Sequence, residues 1–163
     1  MRMVAVVALL GSLAVTSVPL TARQDHHPAP AGSGAAVMGF DQEQTTHHFI
    51  LFSDGGAIEV EVKHASDIEN RDAIRSHLPH IAMMFGAGDF EAPMLVHDSP
   101  HVPGTAVMTA RKDSIRYDYV ETPNGGRVNI VTSDPAALSA VHAFLTFQIA
   151  EHETGDPTKV RKR

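Results

Sequence analysis

The sequence predicts an α+β fold: two ββα repeats forming a four-stranded antiparallel sheet with two helices packed on one face. Three observations predict it. Ser53-Asp54-Gly55-Gly56 and Pro123-Asn124-Gly125-Gly126 are hairpin turns set between runs of alternating polarity. Ser66-Asp67 and Ser133-Asp134 each open a helical pattern after such a hairpin. The halves also keep step. Ser66/Ser133, Asp67/Asp134 and Gly88/Gly155 lie 67 residues apart and the hairpin turns 70, so three residues were gained or lost after the second strand.

In the first repeat, about 46–90, Phe49 and Leu51 alternate into one face with Ile58, Val60 and Val62, while Glu59 and Glu61 face the other way. Parity places His47 on the face that carries the helices and His48 opposite, near Glu61. Ser66-Asp67-Ile68-Glu69 has capping-box spacing, and Ile74, Leu78, Ile81 and Phe85 form an apolar stripe at helical period. Pro79 is expected to kink or restart that helix, because a mid-helix proline costs about 3 kcal/mol and one hydrogen bond. The helix ends near Gly88-Asp89. The connection from Phe90 to Asp113, with Pro93, Pro100, Pro103 and Gly104, reads as a long loop over the helical layer. In the second repeat, about 113–156, Ile115/Tyr117/Tyr119 and Val128/Ile130 alternate against Arg116, Asp118 and Asn129. Ser133-Asp134-Pro135 sets an N-cap before a first-turn proline, Leu138, Val141, Leu145 and Ile149 make the stripe, and Gly155-Asp156 ends the helix.

The flanks differ in kind. Arg2, the apolar run Met3–Val15 and the small residues through Ala22 read as a signal peptide over 1–22, which predicts a periplasmic or secreted chain. Thirteen residues would span only about 20 Å as a helix against roughly 30 Å of hydrocarbon, so no stable membrane insertion is expected once the signal is removed. Residues 23–41, rich in Pro, Ala, Gly, Ser and His, read as a disordered linker that includes His26 and His27. The domain then covers 42–157, and 158–163 is a basic, frayed tail.

Composition excludes several classes. Without cysteine there is no disulfide framework, thiolate metal site, iron–sulfur cluster or thiol nucleophile. A net charge of −6 argues against nucleic acid as a partner. Eleven histidines in 163 residues point instead to metal binding or proton transfer. His77 and His80 stand at i, i+3 on the first helix, with His97 in the connecting loop; His47, His142 and His152 are second-rank ligands. The same spacings suit boundary histidines half in solvent, and Met94 and Met108 suit packing better than ligation. At the 67-residue offset Gln148 stands for Ile81 and His152 for Phe85, so the repeat replaces two core positions with polar groups that need partners.

Two other function classes compete with an exported transition-metal-binding protein, for which copper leads, then zinc, with histidine-held haem behind them. One is a small enzyme using metal-free acid/base chemistry, with His142, Gln148, Glu151 and His152 as its catalytic set. The other is a binding or assembly module, a homodimer joined through the outward-facing Ile50 and Phe52. The partner is thus a metal ion, a small molecule or a second copy. Gln148-Ile149-Ala150-Glu151-His152 approaches the HxxEH pattern of inverted zinc peptidases, but Gln148 removes the first ligand, so that activity does not carry over. Gly86-Ala87-Gly88 follows a helix rather than a strand, which excludes a dinucleotide loop.

The runs Thr45-Thr46-His47-His48-Phe49, Asp54-Gly55-Gly56, Gly88-Asp89-Phe90 and Phe147-Gln148-Ile149, with Glu151-His152 and Thr154-Gly155-Asp156, are shared features. Over about 40–157 the chain resembles a group of small exported histidine-rich bacterial proteins of unknown function. The resemblance implies export and a single compact domain, and no activity, cofactor or ligand set.

Overall fold

Backbone pairing defines one sheet. In the computed structural model, which describes residues 38–163, β1 (Thr45–Phe52), β2 (Gly55–Val62), β3 (Ile115–Thr122) and β4 (Gly125–Thr132) are antiparallel in the order β1-β2-β4-β3. The signal segment, the linker through residue 37, and His26 and His27 lie outside the described residues. Among the described residues the helices are α1 (Ile68–Ala87), α2 (Glu91–Val96), α3 (Thr105–Ala110) and α4 (Pro135–Glu151). Two ββα units, β1-β2-α1 and β3-β4-α4, follow one another as the sequence repeat requires. No helix among the described residues is long and apolar enough to cross a membrane.

The register reveals how the units combine. β2 and β4 pair at the centre, and Ile58 lies directly opposite Val128, its counterpart at the 70-residue offset. A pseudo-twofold axis therefore passes through that pair. The helices are exchanged across it: α1 packs mainly on β3 and β4, and α4 on β1 and β2. Matched details hold the exchange in place. A Cβ on Gly56 would come within 2.2 Å of Leu145 Cδ1, and one on its counterpart Gly126 within 3.2 Å of Leu78 Cδ1, so a side chain at either position would crowd the helix above it. Arg75 donates to the carbonyls of Thr122 and Gly125 at 2.7 and 3.2 Å. Its counterpart His142 places Nε2 at 2.9 and 3.0 Å from the carbonyls of Phe52 and Gly55. Each long helix thus clamps the hairpin turn of the other repeat.

Several local expectations shift. Asp67 rather than Ser66 caps α1, its carboxylate accepting from the Asn70 N–H at 3.1 Å. α1 runs unbroken through Pro79 and stops at Gly88, whose φ of 80° closes the helix. Leu78 and Ile81, on either side of the proline, are both buried, and that packing offsets the local cost of about 3 kcal/mol. Asp134 caps α4 before Pro135 as expected, but the helix ends at Glu151, short of Gly155. The connection between repeats carries α2, α3 and the 3-10 turn Lys112–Ser114 rather than a bare loop. Met108 is fully buried and Met94 packs on the core, both as packing residues. Because α3 also covers α4, the buried face of α4 widens to Ala137, Ala140 and Phe144, leaving Leu138 at its edge. His48 lies opposite Glu59, not Glu61, because the hairpin turns on Ser53-Asp54 alone.

Both ends of the described chain are more ordered than the composition suggested. Phe40, within the segment read as linker, is 5% exposed and belongs to the core. The C-terminal residues do not fray; they run along the outer edge of β1. Asp156 accepts from the Phe49 N–H at 2.9 Å, and Arg161 exchanges backbone bonds with Leu51 and Ser53 at 2.9 and 2.8 Å. Arg163 sits 4.4 Å above the Phe52 ring, covering half of the outward apolar pair. An edge strand with unpaired backbone groups is thereby closed.

Candidate functional site

Strand alternation turns His47 inward beside Phe49 and Leu51, at the start of β1. There the end of α4, the middle of α1 and the short helix α2 border a half-open cavity of about 70 Å³. Its lining holds four histidines (His47, His77, His97 and His152), Gln148, and otherwise apolar and aromatic side chains, with no Asp, Glu, Lys or Arg.

The rings form a chain. His152, just past the end of α4, stacks on His47 with centroids 5.4 Å apart and planes 19° apart. His97, just past α2, meets His152 edge to face at 5.0 Å and 81°. His97 Nε2 lies 3.0 Å from Gln148 Oε1. An amide oxygen only accepts, so this nitrogen is the donor. Phe40 stands between His47 and His77, with centroid distances of 5.8 and 5.7 Å.

Burial keeps three of these rings, His47, His77 and His152, neutral. It holds His47 down to about 4, with the neighbouring His48 and His77 adding to the effect. It holds His152 down to about 3, reinforced by His47 and His97. His77 is lowered as well, by burial and then by His80. A charged imidazole would have to leave water without a carboxylate to meet it, which is why the neutral form wins.

Two lining residues carry buried polar atoms with no partner, His47 Nε2 and Gln148 Nε2, and Gln148 is only 4% exposed. An unpartnered atom does not by itself mark a site. The Tyr117 and Tyr119 hydroxyls and Thr122 Oγ1 share that condition, yet Tyr119 is packed so closely that a Cβ on Gly126 would lie 3.1 Å from its oxygen. His47 and Gln148 differ in opening on the same cavity.

The structure brings together His47, His77, His97 and His152 and separates the other proposed residues. His80 is exposed and lines a surface groove with Ser76 and His77. His77 and His80 therefore do not both turn to the cavity. His142 is occupied by its two carbonyls, with Nε2 as donor. Glu151 is exposed and does not line the cavity. His48 lies on the outer face, 3.0 Å from Asp156. Among the described residues no group of three or more His, Asp or Glu side chains is arranged to hold a metal ion. Sequence reasoning missed Phe40, which it placed in the linker. It also missed the clamp made by His142, although the 67-residue match to Arg75 carried that signal.

No family model, curated protein or solved structure matches the chain. The site is thus read from its own chemistry. Imidazoles held near 3 and 4 are weak bases at neutral pH, which suits hydrogen bonding better than general-base catalysis.

Proposed function

We propose that the protein binds a small molecule in the histidine-lined cavity. The observation that carries this reading is the pair of unpartnered buried atoms, His47 Nε2 and Gln148 Nε2, on residues lining one cavity. A buried polar group without a partner costs about 1–3 kcal/mol, so a ligand that meets it gains that much over one that does not. Around these groups the wall is apolar, the usual build of a small-molecule site. The proposal includes export of the chain, in keeping with its N-terminal signal pattern and its resemblance to exported histidine-rich proteins.

The test is an NMR screen of the full chain with small organic molecules, reading the imidazole signals of His47, His97 and His152 and the amide of Gln148. Saturable shifts confined to these groups are expected. They should vanish in the double variant His47→Tyr/His152→Phe, which installs the residues of the other half. Absence of any saturable shift overturns the reading.

A second reading is a transition-metal centre of copper or zinc on His47, His97 and His152. Its favouring observation is the run of three imidazole rings, His47 to His152 to His97, with centroids 5.4 and 5.0 Å apart. It requires the rings to turn, since His97 Nε2 is bonded to Gln148. Stoichiometric metal by elemental mass spectrometry, lost on His47→Ala, supports it; an apo protein after reconstitution and dialysis overturns it.

A further inference from the structure

The chemistry of the same cavity narrows its ligand. We infer that the occupant is a small, uncharged molecule with one oxygen, hydroxyl or carbonyl, on a hydrocarbon frame; this rests on the small-molecule reading above. Three features argue for it together.

Charge comes first. No Asp, Glu, Lys or Arg lines the cavity, so neither an ammonium nor a carboxylate would find a counter-charge after losing its water. His47, His77 and His152 do not supply one, because burial disfavours their protonated forms.

Polarity comes second. With Gln148 Oε1 engaged by His97, the free capacity of the amide is its NH2, a donor that calls for an oxygen acceptor. His47 Nε2 either donates to that oxygen or accepts from it, according to its tautomer. A carbonyl takes hydrogens from both residues. A hydroxyl accepts from Gln148 and donates to His47.

Volume comes third. The cavity of about 70 Å³ exceeds the roughly 10–15 Å³ that suffices to hold one water. A buried water makes about three hydrogen bonds. Walls such as Phe49, Ile81, Phe85 and Phe144 offer none, so water alone leaves bonds unmade where a few carbon atoms would pack.

The test uses four-atom probes matched in shape: 2-propanol, acetone, isobutane, acetate and isopropylammonium, with xenon as a measure of access. Each is titrated into the full chain by NMR, alongside Gln148→Ile, which carries the residue found at the equivalent position, Ile81. For so few atoms, Kd values of about millimolar order are expected. 2-Propanol or acetone should shift the Gln148 and His47 signals saturably, and the two ions should not. Gln148→Ile should weaken the oxygenated probe about tenfold while still admitting xenon. A stronger response to 2-propanol supports a hydroxyl ligand, and a stronger response to acetone a carbonyl.

Binding of either ion as tight as that of the oxygenated probes overturns the inference. So does isobutane binding as tightly as acetone, or an unchanged affinity in Gln148→Ile. Xenon entry without binding of any oxygenated probe also overturns it, leaving an open cavity for another kind of occupant. Failure of xenon and all probes alike overturns the small-molecule reading itself.

Discussion

At one end of the sheet His47 stacks on His152 with centroids 5.4 Å apart, while at the other their counterparts Tyr117 and Phe85 meet edge to face at 6.0 Å. The exchange extends through the neighbourhood. Gln148 stands where the other half has Ile81, and His77 where it has Phe144. Two equivalent corners of one fold are thus built differently, one from aromatic and aliphatic packing and the other from polar rings. Ile81, Phe85 and Phe144 of the first also form apolar wall of the cavity beside the second. The packed corner shows that the architecture does not need the polar groups. Their presence in the open corner costs stability and is therefore best explained by what the corner holds.

Several measurements would sharpen or break this contrast. The largest effect should appear in acid. His47 and His152 titrate near 4 and 3 in the folded chain and near the ordinary 6.5 when unfolded. Between 6.5 and those values the unfolded state binds more protons, so the contribution of these two groups is flat above pH 7 and stability falls as pH drops below 6.5. Each histidine contributes about 1.4 kcal/mol per pH unit in that window. Urea unfolding at stepped pH should show the steep acid limb in the wild type and a shallower one in His47→Tyr/His152→Phe. Equal limbs would mean that the rings are not buried as described.

Next is the reciprocal exchange. Phe85→His puts a polar ring among packed aromatics and should cost about 3 kcal/mol at neutral pH, whereas His152→Phe should cost nothing or stabilise. Equal costs would remove the asymmetry. Smaller effects separate the two clamps. Arg75→Ala, which gives up charge-assisted bonds to the turn of β3 and β4, should lose about 2 kcal/mol, and His142→Ala about 1 kcal/mol. Smallest is removal of residues 159–163. This opens the β1 edge, and about 1 kcal/mol or less should be lost, with greater self-association in sedimentation.

Much of the fold was legible because it depends on local signals that occur twice. The two hairpins, the stripe Ile74, Leu78, Ile81 and Phe85, and the 67-residue spacing of the caps Asp67 and Asp134 all survive in three dimensions. What was not legible depends on partners distant in sequence. Pro79 stays within α1 because tertiary burial outweighs a local penalty. The tail is ordered because β1 is an edge strand, a fact of sheet order rather than of composition.

The site divides along the same line. The substitutions at Gln148 and His152 against Ile81 and Phe85 were visible in the repeat, and parity placed His47 beside them. Helical spacing paired His77 with His80, and the two do share a surface groove, but only His77 also lines the cavity. The exchange of helices across the pseudo-twofold axis decides which hairpin each helix covers, and it assigned His142 to a turn instead of the cavity.

The most direct test of the contrast is a crystal structure of the full chain pressurised with xenon. Xenon is expected in the cavity bounded by His47, Gln148 and His152, with none between Phe85 and Tyr117. The same experiment on His47→Tyr/His152→Phe should leave both corners empty. Xenon absent from the histidine corner of the wild type, or present equally in both corners, would contradict the account.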